Sequence, residues 1–179
     1  MKSTDLRIAN ALINILSCNT NLKIHDTEII KKAEVSRSTF YNHFSNQKEI
    51  LNFIFNIIDK KIFKEFEYFK YIPPQFINKK VLIEYTSEHL IPIIYDYRKV
   101  IKIMYSSNIS KSWNDFLENK YTDTICKYLR IEKNMHLKLF VKYVLLIIEL
   151  WITEDKIENP KYFKKHFRTL CNSPIINIK

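Results

Sequence analysis

A short polar segment near the start of the chain carries side chains that could contact nucleic acid. Residues 36–44 (SRSTFYNHF) combine hydrogen-bond donors with two phenylalanines four positions apart. On a helix, residues four apart share a face, so Phe40 and Phe44 are expected to face the core while the donors face outward. Arginine reads guanine well and asparagine reads adenine, whereas tyrosine and threonine more often hold phosphates. The segment therefore favours recognition of double-stranded DNA.

Two short helices joined by a tight turn are expected to position this segment. The first is predicted over about residues 26–33, and the second over about 37–44 with Ser36 as its N-cap. A short helix, a tight turn and a second short helix with an exposed polar face form the helix-turn-helix arrangement. An earlier helix, at about residues 3–17, carries an apolar face that can pack against them.

The remainder of the chain is also predicted to be helical. A long helix at about residues 47–71 ends before Pro73 and Pro74, and a helix of this length can belong to two domains. Pro92 is expected to kink or cut the helix that follows. The further helices are predicted at about residues 75–95, 98–107, 110–130, 135–154 and 160–171.

The composition favours an all-α fold. The 179 residues include no glycine and 5 prolines, and 46% of them are hydrophobic. Without glycine, few of the left-handed turns that β-hairpins need are accessible. The formal net charge of +10 permits binding to nucleic acid. It does not locate that binding, because residues 1–70 hold 11 lysines and arginines against 8 acidic residues.

Several functional classes are not favoured by the residues present. Cys18, Cys126 and Cys171 are far apart and form no cluster of metal ligands, so we expect neither a metal nor a cofactor. The chain has no glycine-rich phosphate loop and no nucleophile motif, so we do not expect an enzyme. We predict no signal peptide and no membrane segment, which indicates a cytoplasmic protein.

The predicted helix at 135–154 is apolar on much of its circumference. One apolar face can pack within its own domain. A second one needs another cover, and a helix from a partner is the simplest cover. The sequence therefore predicts association through this helix.

Residues 35–44, followed by KEIL at 48–51, resemble the DNA-binding signature of the TetR family of transcriptional regulators. The likeness covers about residues 5–55. Beyond it, the chain is similar to the C-terminal domain of a subgroup that includes regulators related to dihydroxyacetone kinase control. That weaker likeness involves the stretch from Tyr97 through Trp151 to about residue 160.

The resemblance implies an all-α homodimer with two domains. Residues 1–48 would form the three-helix, helix-turn-helix DNA-binding domain, and residues 49–179 a helical ligand-binding and dimerisation domain, with the helix at 47–71 connecting the two. The implied function is that of a repressor, which binds a palindromic operator and is released when an inducer binds the C-terminal domain. An alternative stays open, in which the C-terminal domain binds a protein partner instead of a small ligand. An enclosed pocket would favour the inducer, and a solidly packed core would favour the partner.

The resemblance also assigns residues to the contact with DNA. Tyr41 matches the family's phosphate-contacting tyrosine, and Thr27 lies near the DNA backbone. The family usually has glycine where this chain has Glu34. It favours lysine where this chain has Gln47, so either Gln47 or the neighbouring Lys48 could contact phosphate. The full DNA-binding set is Thr27, Ser36, Arg37, Ser38, Thr39, Tyr41, Asn42, His43, Gln47 and Lys48.

Other interpretations stay open for many of these residues. Tyr41 could be a packing tyrosine, Arg37 a solvated charge and His43 a surface histidine. The aromatic set that could line a ligand pocket has a helical spacing that is equally typical of an ordinary core. That set is Tyr85, His89, Tyr105, Trp113, Phe116 and Tyr143. The dimer contacts that the resemblance implies are Val144, Ile148, Trp151, Tyr162, Phe163, His166 and Phe167.

Overall fold

The chain is all-α in the ranges that the computed structural model describes, residues 3–18, 24–106 and 110–173, where it contains no β-strand. This confirms the predicted fold class. The helices are α1 (Ser3–Cys18), α2 (Asp26–Ala33), α3 (Arg37–His43), α4 (Gln47–Phe66), α5 (Lys79–Tyr85), α6 (Ile91–Asp96), α7 (Arg98–Ser106), α8 (Ser110–Leu129), α9 (Met135–Thr153) and α10 (Pro160–Asn172). Short 3₁₀ segments occupy Glu67–Tyr71 and Pro74–Phe76. Residue 107, at which the predicted helix 98–107 ends, lies outside the described ranges.

Asparagine side chains begin four of these helices. In α4, for example, the side-chain oxygen of Asn46 accepts a hydrogen bond from the backbone N–H of Glu49 at 3.1 Å. An N-cap oxygen of this kind satisfies one of the backbone donors that the first turn leaves without a partner. The asparagines that cap α4, α5, α9 and α10 are Asn46, Asn78, Asn134 and Asn159.

Two charged residues occupy left-handed positions at helix ends, where glycine is the usual residue. Glu34 follows α2 with φ 52°, and Arg130 follows α8 with φ 53°. A side chain in this conformation costs about 1 kcal/mol because Cβ approaches the following carbonyl oxygen. The chain has no glycine, so hydrogen bonds around these turns must offset that strain.

The helical segment that contains Pro92 continues without a cut from Lys79 to Asp96. A widened π turn at Thr86–Leu90 joins α5 to α6, and Pro92 follows in the first turn of α6. Proline has no N–H and its ring clashes with the carbonyl four residues earlier. The wider turn accommodates both effects, so the expected break is replaced by a local change of helix type.

The N-terminal helices form one packed unit that is joined to the rest of the chain. α1 contacts α2, α3 and α4, and it also contacts α7. The core of this unit includes Ile8, Ile29, Phe40 and Ile50, which are completely buried. α4 contacts the π turn and α6 as well as α1, so it packs against helices from both ends of the chain.

α9 has two apolar faces. One is buried against α7, α8 and α10 and includes Val141, Ile148 and Ile152. The other is exposed and carries Leu146 and Leu150. In the described part of the chain, no helix, α9 included, is both long and apolar enough to span a bilayer.

Candidate nucleic-acid interface

The turn between α2 and α3 is closed by backbone hydrogen bonds and by one arginine from α1. Glu34 is left-handed, and the N–H of Val35 donates to the carbonyl of Ile30 at 3.3 Å. The Arg7 guanidinium donates to the carbonyls of Ala33 and Glu34 at 2.8 and 2.9 Å. A cation at a helix C-terminus satisfies carbonyls that lack helical partners and interacts favourably with the helix dipole. Arg7 therefore stabilises the turn that the sequence left without glycine.

α3 is capped at its start and anchored on one face, as predicted. The Ser36 hydroxyl accepts a hydrogen bond from the backbone N–H of Thr39 at 3.0 Å, and it lies 2.7 Å from the hydroxyl of the same residue. Phe40 and Phe44 are buried, and the Phe44 ring packs edge-on against Phe53 of α4 at 5.5 Å. These contacts fix the orientation of α3 on α1, α2 and α4.

Four predicted DNA-binding residues are exposed and make no hydrogen bond or ion pair with the described part of the chain. Arg37 and Asn42 lie on the outer face of α3, and the Arg37 guanidinium lies 5.9 Å from the Tyr41 ring centroid. Thr27 is exposed in the first turn of α2, and Lys48 in the first turn of α4. Their donors are accessible to a ligand. Ser38 is also exposed, but its hydroxyl lies 3.0 Å from that of Ser36.

Three other predicted DNA-binding residues are engaged within the protein. The Tyr41 hydroxyl, on a side chain that is 42% exposed, donates to Oδ2 of Asp26 at 3.2 Å. The Gln47 amide donates to Oδ1 of Asp26 at 3.0 Å and to the carbonyl of Ile24 at 2.9 Å. We refer to Asp26, Tyr41 and Gln47 as the Asp26 cluster. The third engaged residue, His43, is partly buried, and its Nδ1 lies 2.6 Å from Oδ1 of Asp5 in α1. His43 therefore joins α3 to α1 and is not directed outward as expected.

Asp5, Arg7 and Asp26 are parts of this interface that the sequence did not predict. Asp26 lies in the first turn of α2, after the N-cap position His25, whose side chain makes no capping bond. The partners of these three residues lie 15 to 38 positions away in sequence. Local periodicity carries no signal for such contacts.

The six residues predicted to line a ligand pocket do not come together. Tyr85 stacks on His89 with ring centroids 4.3 Å apart, and burial is the main cause that raises the pKa of Tyr85 to about 12. Trp113 packs against Tyr105 of α7 and, within α8, against Phe116. The remaining residue, Tyr143, makes no ring contact with either group among the described residues, and its hydroxyl donates to the carbonyl of Leu170 in α10.

A cavity in this region is small and mostly apolar. Its volume is about 40 Å³, a few times the minimum of about 10–15 Å³ that a site needs to hold one water molecule. None of the six predicted pocket residues lines it. Its wall includes Phe66, Leu90, Tyr121, Val141, Val144 and Phe167.

Several polar atoms beside this core are buried without a hydrogen-bond partner among the described residues. Asp59 is only 9% exposed; its Oδ2 lies 3.3 Å from Nζ of Lys120, whereas its Oδ1 has no partner. Burial raises the pKa of the Asp59 carboxyl, although Lys120 acts in the opposite direction. The hydroxyls of Ser87 and Thr122 are also buried and unpaired. Each such group carries a desolvation cost.

The predicted dimer residues separate into buried and exposed members. Ile148, Trp151, Phe163 and Phe167 are buried in the chain's own core, where the rings of Trp151 and Phe163 stack at 3.9 Å. These four correct the sequence-based assignment, because they face the interior of the protomer. Val144 is partly buried and lines the cavity. Tyr162 and His166 are exposed, and their role in a dimer stays a prediction.

The exposed apolar surface of α9 and α10 includes other residues than those predicted. Leu139, Leu146 and Leu150 of α9 are 56%, 48% and 59% exposed, and Leu170 of α10 is 44% exposed. The open groove between these helices is lined by Leu146, Leu150, Leu170 and His166, among others. We refer to these four residues, together with Leu139 and Tyr162, as the α9–α10 face. Exposed leucines clustered beside a groove are typical of interaction sites.

Comparison with known proteins gives one partial match. No family model matches the chain. A curated relative, the HTH-type dhaKLM operon transcriptional activator DhaS of Lactococcus lactis subsp. lactis, is 40% identical over 48 residues, which are 27% of this chain and 26% of the relative. The match therefore spans about a quarter of the relative's length. Over that span the chain is similar to a transcription regulator of the helix-turn-helix type, and membership of the TetR family stays a prediction.

Proposed function

We propose that the protein is a DNA-binding transcriptional regulator of the TetR type, which acts as a homodimer on a palindromic operator. α3 would enter the major groove, and the first turns of α2 and α4 would approach the phosphate backbone. The partial likeness to a helix-turn-helix transcriptional activator supports this function. The proposal includes a cytoplasmic location and no catalytic activity.

The carrying observation is the exposure of Arg37 and Asn42 on a helix whose opposite face is fixed. Phe40 and Phe44 hold that face in the core, and Ser36 caps its start. Arginine can bind guanine with two hydrogen bonds, and asparagine can do the same with adenine. A capped, anchored helix with such side chains facing solvent is what major-groove recognition requires.

The α9–α10 face supports the homodimer. In a twofold dimer the same face of each protomer covers that of the other. The exposed leucines Leu139, Leu146 and Leu150 would then be buried, and two copies of α3 would be held at a fixed separation. That separation sets the spacing of the half-sites in the operator.

A second candidate concerns how DNA binding is controlled. The sequence implied release by an inducer, with a protein partner as the alternative. A cavity of about 40 Å³ is far smaller than the pockets of about 300–1,000 Å³ that usually hold small-molecule ligands, which favours the protein partner. Repression also stays a prediction. The relative is named as a transcriptional activator, which favours activation over repression for this chain.

The experiment that tests DNA binding is selection of duplexes from a random pool by the purified chain. It is repeated at two salt concentrations, because phosphate contacts make the affinity salt-dependent. We expect one enriched sequence with approximate twofold symmetry. The double variant Arg37→Ala/Asn42→Ala should bind the selected duplex about a hundredfold more weakly, because each base contact contributes about tenfold discrimination.

A matched control removes the same kinds of side chain from α8. Lys127 and Asn119 are both exposed there, on a different helix from the predicted reading face. Lys127→Ala/Asn119→Ala should bind the duplex as tightly as the parent. Equal affinities for the parent and the α3 double variant, with both proteins folded by circular dichroism, would exclude α3 as the reading helix.

A further inference from the structure

The donors of the Asp26 cluster are fully used within the protein. A tyrosine hydroxyl has one hydrogen to donate, and that of Tyr41 is directed at Asp26. A glutamine amide has two, and those of Gln47 are directed at Asp26 and at the carbonyl of Ile24. While these three bonds exist, neither side chain can donate to a DNA phosphate. The two residues whose positions match phosphate contacts are therefore occupied.

The Asp26 carboxylate accepts these hydrogen bonds, and it lies where a phosphate of the DNA backbone is expected to bind. Asp26 lies in the first turn of α2, and its two carboxylate oxygens bind donors from α3 and from the first turn of α4. Backbone phosphates bind to helix N-termini and to neutral and charged donors in the same manner. A carboxylate that remained beside an approaching phosphate would also repel it.

We propose that Asp26 acts as an internal competitor of the DNA backbone, occupying Tyr41 and Gln47 until a phosphate displaces it. The inference rests on the proposed DNA-binding function and identifies the residue that limits its affinity. Arg37, Asn42 and Lys48 are accessible throughout, so they form the first contacts. Tyr41 and Gln47 join only on duplexes whose bound geometry brings a phosphate within reach, and this raises specificity at the expense of affinity.

A positioning role for Asp26 predicts the opposite change in DNA affinity when Asp26 is removed. If Asp26 only positioned Tyr41 and Gln47 for phosphate contact, its removal would weaken binding. As a competitor, its removal strengthens binding, because the Tyr41 hydroxyl is released and a nearby negative charge is lost. The variant Asp26→Asn distinguishes the two roles, since asparagine has the same shape and can still accept the bond from Gln47.

The experiment measures affinity for two labelled duplexes, the one selected by the parent chain and one of random sequence. The control is Glu28→Gln, which removes one negative charge from the same first turn of α2, at an exposed carboxylate that makes no contact with Tyr41 or Gln47. We expect Asp26→Asn to bind the random duplex about three- to tenfold more tightly than the parent. Glu28→Gln should change the affinity about twofold or less, because its charge acts only at a distance.

A mutant cycle with Tyr41→Phe tests the hydrogen bond itself. In the parent, loss of the hydroxyl should weaken binding by about twofold or less, because the phosphate bond replaces the Asp26 bond. In the Asp26→Asn background, the same loss should weaken binding by about fivefold or more, because the released hydroxyl contributes fully. If Asp26 had only a structural role, Tyr41→Phe would have the same effect on affinity in both backgrounds.

The outcomes separate the two levels of the argument. Unchanged or weaker binding by Asp26→Asn, or equal Tyr41→Phe effects in both backgrounds, overturns the competitor role while DNA binding itself stands. If neither the parent nor any variant retains DNA at low salt, the proposed function is wrong and the competitor role fails with it. Thermal unfolding of each variant shows whether a loss of binding reflects a loss of fold.

Discussion

The α2–α3 region and the C-terminal part of the molecule differ in how completely their polar groups are paired and their apolar side chains are buried. Around the turn, the side chains of Asp26, Tyr41, Gln47 and His43 are paired, and both phenylalanines of α3 are buried. In the C-terminal part, a carboxylate oxygen of Asp59, in the second half of α4, is buried without a partner among the described residues, while large apolar side chains are exposed on the α9–α10 face.

The difference indicates that the two regions are complete at different levels of assembly. The N-terminal unit pairs these polar groups within itself, so it needs no second protein surface to complete its packing. The C-terminal region leaves apolar surface uncovered, and covering it requires another protein surface. We infer that the exposed apolar surface of α9 and α10 is covered only in the dimer. The predictions that follow test this contrast between the two regions.

The largest expected effect follows from placing charge on the α9–α10 face. Leu146→Glu/Leu150→Glu should convert a dimer to a monomer, because two carboxylates at the centre of an apolar interface cannot be solvated or paired there. Loss of the dimer should also weaken binding to a two-half-site duplex by more than about a hundredfold, because the second half-site no longer contributes. Light scattering coupled to size exclusion measures the mass.

The control for this variant uses exposed aromatic residues elsewhere. Tyr71 and Phe76 are 85% and 62% exposed, and both lie outside α9 and α10. Tyr71→Glu/Phe76→Glu should leave the mass and DNA binding unchanged. If both double variants have the mass of the parent, the α9–α10 face is not the dimer interface and the contrast between the two regions loses its explanation.

An intermediate effect is expected from filling the small apolar cavity. Val141 lines it, and Val141→Ile adds one methylene, which stabilises the chain by up to about 0.8 kcal/mol if the space is empty. If a protein partner controls DNA binding, Val141→Ile should leave both the operator affinity and the regulation of an operator-linked reporter gene as in the parent. If the variant still binds the operator but the reporter gene is no longer regulated, an inducer binds in this cavity instead. Thermal unfolding verifies that the added methylene fits.

The sequence predicted the parts of this molecule that depend on neighbouring positions. Ser36, Phe40 and Phe44 were assigned correctly, because a cap and a four-residue apolar repeat are local features. The helices were placed correctly to within a few residues, since their apolar periodicity is strong.

Contacts between distant positions could not be predicted in the same way. Tyr41 and His43 were both assigned to the outer face, and their acidic partners come from other helices. In α9, apolar residues surround much of the helix, so periodicity could not distinguish the buried Ile148 and Trp151 from the exposed leucines. Aromatic residues at helical spacing gave no indication that the predicted pocket residues would lie in three separate places.

The smallest expected effect concerns the pH dependence of stability at Asp59. Burial raises the pKa of its carboxyl above the value in the unfolded chain, so ionisation of Asp59 opposes folding. The cost is absent below the unfolded pKa and complete above the folded pKa. Relative to the parent, Asp59→Asn should therefore gain stability as the pH rises through this acidic window, and the gain should be constant near neutrality.

Glu67→Gln is the matched control because its sign is reversed. The hydrogen bond from Lys70 lowers the pKa of the Glu67 carboxyl on the surface, so that pair stabilises the fold above the unfolded pKa and loses this effect as the pH falls. Urea unfolding at several pH values measures both variants. If Asp59→Asn instead lost stability relative to the parent as the pH rises, as Glu67→Gln is expected to do, the folded protein would favour the ionised Asp59 carboxylate. Asp59 would then be as well satisfied as the paired acidic residues of the α2–α3 region. The contrast between a satisfied N-terminal unit and an incomplete C-terminal core would then rest on the exposed leucines alone.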